Sequence, residues 1–186
     1  MISARLGHIL DKPLEPLVKK LDIPPNAITA AGFLVTAGAG AAMAVNPKAG
    51  GMLLIIGGLL DILDGAVARI NGRVTDFGAF LDSLLDRYAD AFVFLGLAWR
   101  LREDTTAVAL SIGSLVGALL ISYARARAEG LGMQCKAGLM ERPERIILLI
   151  FATLTGLIAP ALWAMFFLTH ITVLQRLYHV RRLTAG

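Results

Sequence analysis

The chain has 186 residues, 56% of them hydrophobic and 17% charged, with a mean hydropathy of +0.69. A water-soluble domain of this size carries about 25% charged residues, so composition excludes an ordinary soluble enzyme, and length leaves room for a single domain, 1–186. The net charge of +4 and pI near 9.6 read as a membrane-orientation and anionic-ligand signal, with no nucleic acid required as a partner.

Residues 1–22 place Ile2, Leu6, Ile9 and Leu10, then Leu14, Leu17, Val18 and Leu21, at helical spacing beside Arg5, Lys12, Lys19 and Lys20. This pattern predicts an interfacial amphipathic helix on the inner leaflet. No cleavable signal peptide is expected, because an apolar core of about 7–15 residues and a small-residue cleavage site are both missing. Six apolar runs follow, at about 27–45, 51–70, 77–99, 105–124, 146–159 and 161–178. Runs of about 20 residues cross about 30 Å of hydrocarbon. The expected fold is therefore all-α, a polytopic membrane protein with six transmembrane helices over 23–180 and the interfacial helix before them. The fifth run is short and is expected to tilt or to start early. Asn26, behind Pro24 and Pro25, is an N-cap candidate for the first span, with Thr29 one turn in. Gly113 and Gly117 in the fourth span suit either a dimer contact or internal packing. Cys135, the single cysteine, excludes an internal disulfide and fits a reducing, cytoplasm-facing loop.

Six spans put both tails and the second and fourth loops on one side. That side carries 14 of the 18 lysines and arginines, against three at Lys48, Arg100 and Arg102. Positive charge is retained on the cytoplasmic side, so both termini and the active side are expected to face the cytoplasm across an inner cell membrane.

The second and third spans hold the chemistry. They read Asp61-x-x-Asp64-Gly65-x-x-Ala68-Arg69, then eight residues, Gly78, three residues, Asp82, three residues, Asp86. One charge at mid-bilayer costs roughly 2.5–3.5 kcal/mol, so four unpaired carboxylates would cost about 10 kcal/mol or more. Asp61 and Asp64 share one helix face and Asp82 and Asp86 share another, and Arg69 to Asp76 joins the two helices as antiparallel neighbours. Four oxygen donors converging this way make a cage for a hard divalent cation, Mg²⁺ or Mn²⁺. Gly65, Ala68 and Gly78 leave space beside it, and Arg69 offers a fork of donors suited to phosphate. Further along, Arg125, Arg127, Arg142 and Arg145, with Arg176 of the last span, form a cationic rim. Such density suits an anionic acceptor better than choline or ethanolamine, while positive-inside anchoring is the plainer use of the same arginines. Asp90 extends the third-span face and is read as an ion-pair partner of Arg87.

These residues resemble the signature of the CDP-alcohol phosphotransferases, D-x2-D-G-x2-A-R-x8-G-x3-D-x3-D, at every specified position. The resemblance implies a phosphatidyltransferase that moves the phosphatidyl group of a CDP-lipid, CDP-diacylglycerol, to an alcohol and releases CMP. It implies that Asp61, Asp64, Asp82 and Asp86 hold one or two Mg²⁺ or Mn²⁺ ions and that Asp86 is also the general base. Asp61, Asp64, Gly65, Ala68, Arg69, Gly78 and Asp82 would surround the CDP moiety, with Asn26 and Thr29 as further contacts. Ser122-Tyr-Ala-Arg125-Ala-Arg127-Ala-Glu129 and Glu141-Arg142-Pro143-Glu144-Arg145 look like the branch that joins CDP-lipids to inositol phosphate. In that branch Ser122, Arg125, Arg142, Arg145 and Arg176 would grip the acceptor phosphate. Arg125 departs from the lysine usual in actinobacterial members, which leaves the exact acceptor open. A homodimer is implied by the resemblance alone. The competing acceptor is glycerol 3-phosphate, as in a phosphatidylglycerol-phosphate synthase. A divalent-cation transporter is disfavoured because the outer halves of the spans carry no titratable residue to continue a path.

Overall fold

A computed structural model describes residues 15–16, 18, 23–135 and 137–185; almost all of the amphipathic helix expected over 1–22 lies outside them. Among the described residues from Pro25 onward, six helices follow one another: α1 Pro25–Val45, α2 Pro47–Ile70, α3 Asp76–Arg100, α4 Thr105–Glu129, α5 Arg142–Thr155 and α6 Ile158–Thr184. The chain is all-helical, as expected, and the reasons for the breaks are local. Asn46 caps α2 by accepting from the Lys48 and Ala49 amides at 3.1 and 3.3 Å, with Pro47 behind it. Thr75 caps α3 through the Gly78 amide at 3.0 Å, and Asp104 caps α4 through Thr106 and Ala107. The α2–α3 turn closes with the Arg73 amide on the Ala68 carbonyl at 2.8 Å and Gly72 at φ 63°, a left-handed backbone that glycine adopts without a Cβ clash.

Asn26 is not the cap of α1. Pro25 opens that helix, its ring already set at a helical φ and its missing N–H one that needs no partner there. Asn26 is thereby carried into the first turn.

Helices α1, α2, α4 and α6 are long and apolar enough to cross a membrane, with mean hydropathies of 1.7, 1.9, 2.0 and 1.5. They make the chain a multi-pass membrane protein. Helix α3 has 25 residues, about 37 Å at 1.5 Å per residue, but its acids and arginines lower its hydropathy below that of the other four. The fifth element runs from 142 to 155, earlier at both ends than the run at 146–159. Gly156 stops it in a left-handed cap at φ 84°, and its 14 residues reach only about 21 Å. Large apolar side chains such as Leu34, Phe80, Leu95, Trp99, Phe167 and Leu174 stand outward, more than half exposed, on a surface suited to lipid.

The helices contact one another in a closed ring: α1 with α2, α2 with α5, α5 with α6, α6 with α4, α4 with α3, and α3 with α1. Helices α2 and α3 are not the direct neighbours that their short connection suggests, since their backbones scarcely touch. Helix α1 lies against both, because small residues admit it. A Cβ on Gly96 would fall 2.0 Å from the Gly40 carbonyl oxygen, and one on Gly40 would fall 2.4 Å from that of Phe92. Gly113 and Gly117 face inward, against Phe166 and the Thr169 hydroxyl of α6. Their use is internal packing. The apolar core, built around Met43, Leu54, Phe94, Leu97, Leu162 and Met165, fills the middle of the ring. Towards the α2–α3 turn a smaller apolar cluster of Ile28, Ala66 and Val67, with Leu60, Leu63 and Ile70 against it, packs α1 on α2, and the polar side chains gather beside it.

Candidate active site

The gap that α1 holds open between α2 and α3 is where the carboxylates meet. Carboxylate oxygens of Asp61, Asp64 and Asp82 all lie within 4.8 Å of one another. Oxygens on opposite sides of a Mg²⁺-sized ion bound at about 2.1 Å stand about 4.2 Å apart, so the trio is already close to the size of such a cage. Asp64 is buried, and its Oδ2 has no hydrogen-bond partner among the described residues. A buried carboxylate oxygen left unpaired is costly. The donor set is hard, anionic and one partner short, and it fits a divalent cation of the Mg²⁺ or Mn²⁺ kind.

Asp86 lies beside the trio, outside its 4.8 Å group. Its Oδ1 lies 2.9 Å from Arg142 Nη1, and the same nitrogen lies 2.9 Å from Asp61 Oδ1. Three of the four carboxylates read from spacing form the compact group, and the fourth, Asp86, shares Arg142 with Asp61 and lines a small space with Asp61 and Asp64. Asp90 pairs with Arg145 Nη2 at 2.6 Å and not with Arg87, whose guanidinium bends back to the Ser83 carbonyl. A 55-residue separation hid that partner, while Arg87 was merely adjacent on the same helix.

Beside the trio opens a cavity of about 280 Å³. Asn26 and Thr29 of α1, Asp64, Gly65, Ala68 and Arg69 of α2, and Gly78 and Asp82 of α3 all line it. Of the expected nucleotide contacts, only Asp61 lies off this wall, in a small adjoining space shared with Asp86 and Arg142. The glycines keep the cavity open. A Cβ on Gly65 would sit 2.9 Å from Arg69 Nη1, and one on Gly78 would sit 3.1 Å from Asn26 Oδ1. Arg73 and Thr75 also line the cavity; the signal for Arg73 in the sequence is a second arginine four residues after Arg69, in the turn between the two acidic helices.

The five expected acceptor residues divide. Arg142 reaches the carboxylates as described. Arg125 is exposed and pairs with Glu129 one turn on at 2.9 Å, while Ser122 Oγ donates to the Ala118 carbonyl at 3.2 Å. Arg145 and Arg176 are buried at 2% exposure each. Arg176 donates through Nε to the Ala137 carbonyl, through Nη1 to the Ile121 carbonyl and through Nη2 to Glu141. Thr172 Oγ1, one turn earlier, accepts from the Met140 amide at 3.0 Å. The segment leading into α5 is thereby fastened to α6, and Arg142 is delivered to the carboxylates from a fixed base.

A family model described as CDP-alcohol phosphatidyltransferase matches residues 23–175. An archaetidylinositol phosphate synthase of Methanothermobacter thermautotrophicus is 37% identical over 92% of this chain and 90% of its own length. Crystal structures of a Mycobacterium tuberculosis phosphatidylinositol phosphate synthase share 30% identity. The form with CDP-DAG bound superposes with a TM-score of 0.83 over 91% of this chain and 92% of the other. The form in complex with manganese and citrate superposes with a TM-score of 0.82 over 91% and 88%.

Proposed function

The chain belongs to the CDP-alcohol phosphatidyltransferase family, and on that premise we propose that it moves the phosphatidyl group of CDP-diacylglycerol onto a hydroxyl of an inositol phosphate, releasing CMP. The observation that carries the reading is the cavity described above: all the residues expected around CDP except Asp61 line one space, and that space opens onto the carboxylate trio. The relatives named for inositol-phosphate lipid synthesis support the acceptor class.

Asp61, Asp64 and Asp82, with Asp86 at their edge, would hold the divalent ion, one or two in number, which when bound supplies charge neutralisation on the pyrophosphate. Gly65, Ala68 and Gly78 give the nucleotide a floor without side chains, and Asn26 and Thr29 border it from α1. Arg69 presents its forked donors to phosphate oxygens. Asp86 accepts the proton of the acceptor hydroxyl as that oxygen attacks phosphorus and the bond to CMP breaks. Arg142 stands 2.9 Å from that base, where a guanidinium can hold an acceptor phosphate. Arg125, with Ser122 a turn before it, is the exposed cation for the same phosphate. Arg145 and Arg176 act by positioning the Arg142 segment.

The wider reading is one domain of six spans in the inner cell membrane, with the site open to the cytoplasm and two copies forming a dimer. In it α3 crosses with its acids turned to the cleft, and α5 crosses as a short helix in locally adapted lipid.

The test is CMP release by purified protein given CDP-diacylglycerol and Mg²⁺, with inositol 1-phosphate and glycerol 3-phosphate offered in parallel. Turnover with inositol 1-phosphate alone is expected. Turnover with glycerol 3-phosphate alone would overturn the acceptor assignment and keep the carboxylate chemistry. Release with neither would overturn the reading of donor and acceptor together.

A further inference from the structure

Arg142 and Arg176 both meet acidic partners near the site, yet they do so differently. Arg176 spreads three nitrogens over three separate acceptors and is 2% exposed. Arg142 brings one nitrogen, Nη1, to two carboxylates at 2.9 Å each; its buried Nε lacks a partner among the described residues, as does that of Arg145, so the contrast rests on the shared Nη1. An arginine built into a fold for good uses its planar fork, because two parallel bonds hold the geometry. A guanidinium that offers a single point of charge between two acids is using none of that geometry. It acts there as a cation and little more.

Both acids it bridges belong to the motif, and Asp61 is also one of the trio fitted to a divalent ion. Arg142 opens α5, with its backbone fixed by Pro143 and by the Met140 and Ala137 contacts to α6. Its side chain is 19% exposed, where those of Arg145 and Arg176 are 3% and 2%.

We propose that Arg142 is a placeholder cation: it neutralises Asp61 and Asp86 while the metal site is empty, and it swings away from them when a divalent ion enters. The swing frees the guanidinium for an anionic acceptor only after the metal is seated. Metal loading and acceptor binding thereby become ordered events, linked through one side chain. The inference rests on the reading of Asp61, Asp64 and Asp82 as metal ligands.

Two measurements on the purified full chain in detergent test it, with Mn²⁺ alone as the probe. The first is Mn²⁺ affinity, followed by electron paramagnetic resonance, for wild type, Arg142→Gln and Arg142→Lys. Arg142→Gln is expected to bind Mn²⁺ about tenfold tighter than wild type, within the usual range for coupled sites, and Arg142→Lys to stay near wild type. The second is phenylglyoxal labelling mapped by mass spectrometry, which separates a moving arginine from a fixed charge that merely repels the ion. Arg142 labelling is expected to rise severalfold when Mn²⁺ is added, with Arg145 and Arg176 unchanged as buried references. Mn²⁺ binding that leaves Arg142 labelling unchanged would overturn the placeholder while leaving the metal site intact. A wild-type protein that binds no more Mn²⁺ than Asp82→Asn would overturn the metal reading and the inference with it.

Discussion

Two polar clusters sit at the same end of the bundle and are built by opposite rules. Around Arg176, each guanidinium nitrogen meets an acceptor, Thr172 holds the Met140 amide, and both side chains are buried. Around Asp64, three carboxylates crowd together, one buried oxygen lacks a partner, and an open cavity adjoins them. Saturated polar groups hold a fold in one arrangement, whereas charges left short of partners mark the place where something else has to bind. The arginine cluster is the frame, and the carboxylate cleft is the instrument it holds.

That contrast breaks most visibly at Asp86. Asp86→Asn keeps the shape and removes the base, so CMP release should fall by about 10²–10⁴-fold with the melting temperature of the detergent-solubilised protein nearly unchanged. A variant that retained full transfer would remove Asp86 from the chemistry. On the frame side the expected effect is the reverse. Arg176→Met removes a buried guanidinium from the Ala137 and Ile121 carbonyls and from Glu141 and should cost about 3–5 kcal/mol of stability, read as a lower melting temperature and a lower yield of folded protein. An Arg176→Met protein as stable as wild type, yet with a raised KM for the acceptor, would move Arg176 to the cleft side of the comparison.

Smaller effects sharpen the same line. Gly96→Ala pushes a methyl into the Gly40 carbonyl where α1 crosses α3. It should cost about 1–3 kcal/mol and lower CMP release as well, because α1 sets the separation of α2 and α3; thermal melts and turnover on the same sample check both. Thr172→Val removes a single buried hydrogen bond to the Met140 amide and should cost about 1 kcal/mol with activity of the folded fraction retained.

Much of the cleft could be read in the chain itself. The spacing of Asp61, Asp64, Asp82 and Asp86 follows helix periodicity, and Asn26, Thr29, Gly65, Ala68, Arg69 and Gly78 do line one cavity with the carboxylates. The frame was far less legible, because its contacts join distant positions: Arg142 and Asp61 are 81 residues apart, and Arg176 and Ile121 are 55 apart. No local pattern states which arginine finds which acceptor. Asp90 was assigned to Arg87 on nearness alone, and the arm from Leu131 to Leu139 carried no motif although it is the strand of chain that Arg176 fastens. The wedge of α1 between α2 and α3 was hidden for a related reason. The glycines that permit it were visible, but which helix they admit depends on the closed ring of six.

The most direct test of the cleft as the reaction centre is Asp64→Asn, read on one preparation by CMP release and by the Mn²⁺-induced rise in melting temperature. The substitution removes a buried charge that has no partner for its Oδ2, so the metal-free variant should melt no lower than wild type while losing both the Mn²⁺ response and CMP release. A variant that keeps its Mn²⁺ response and its turnover would contradict the account.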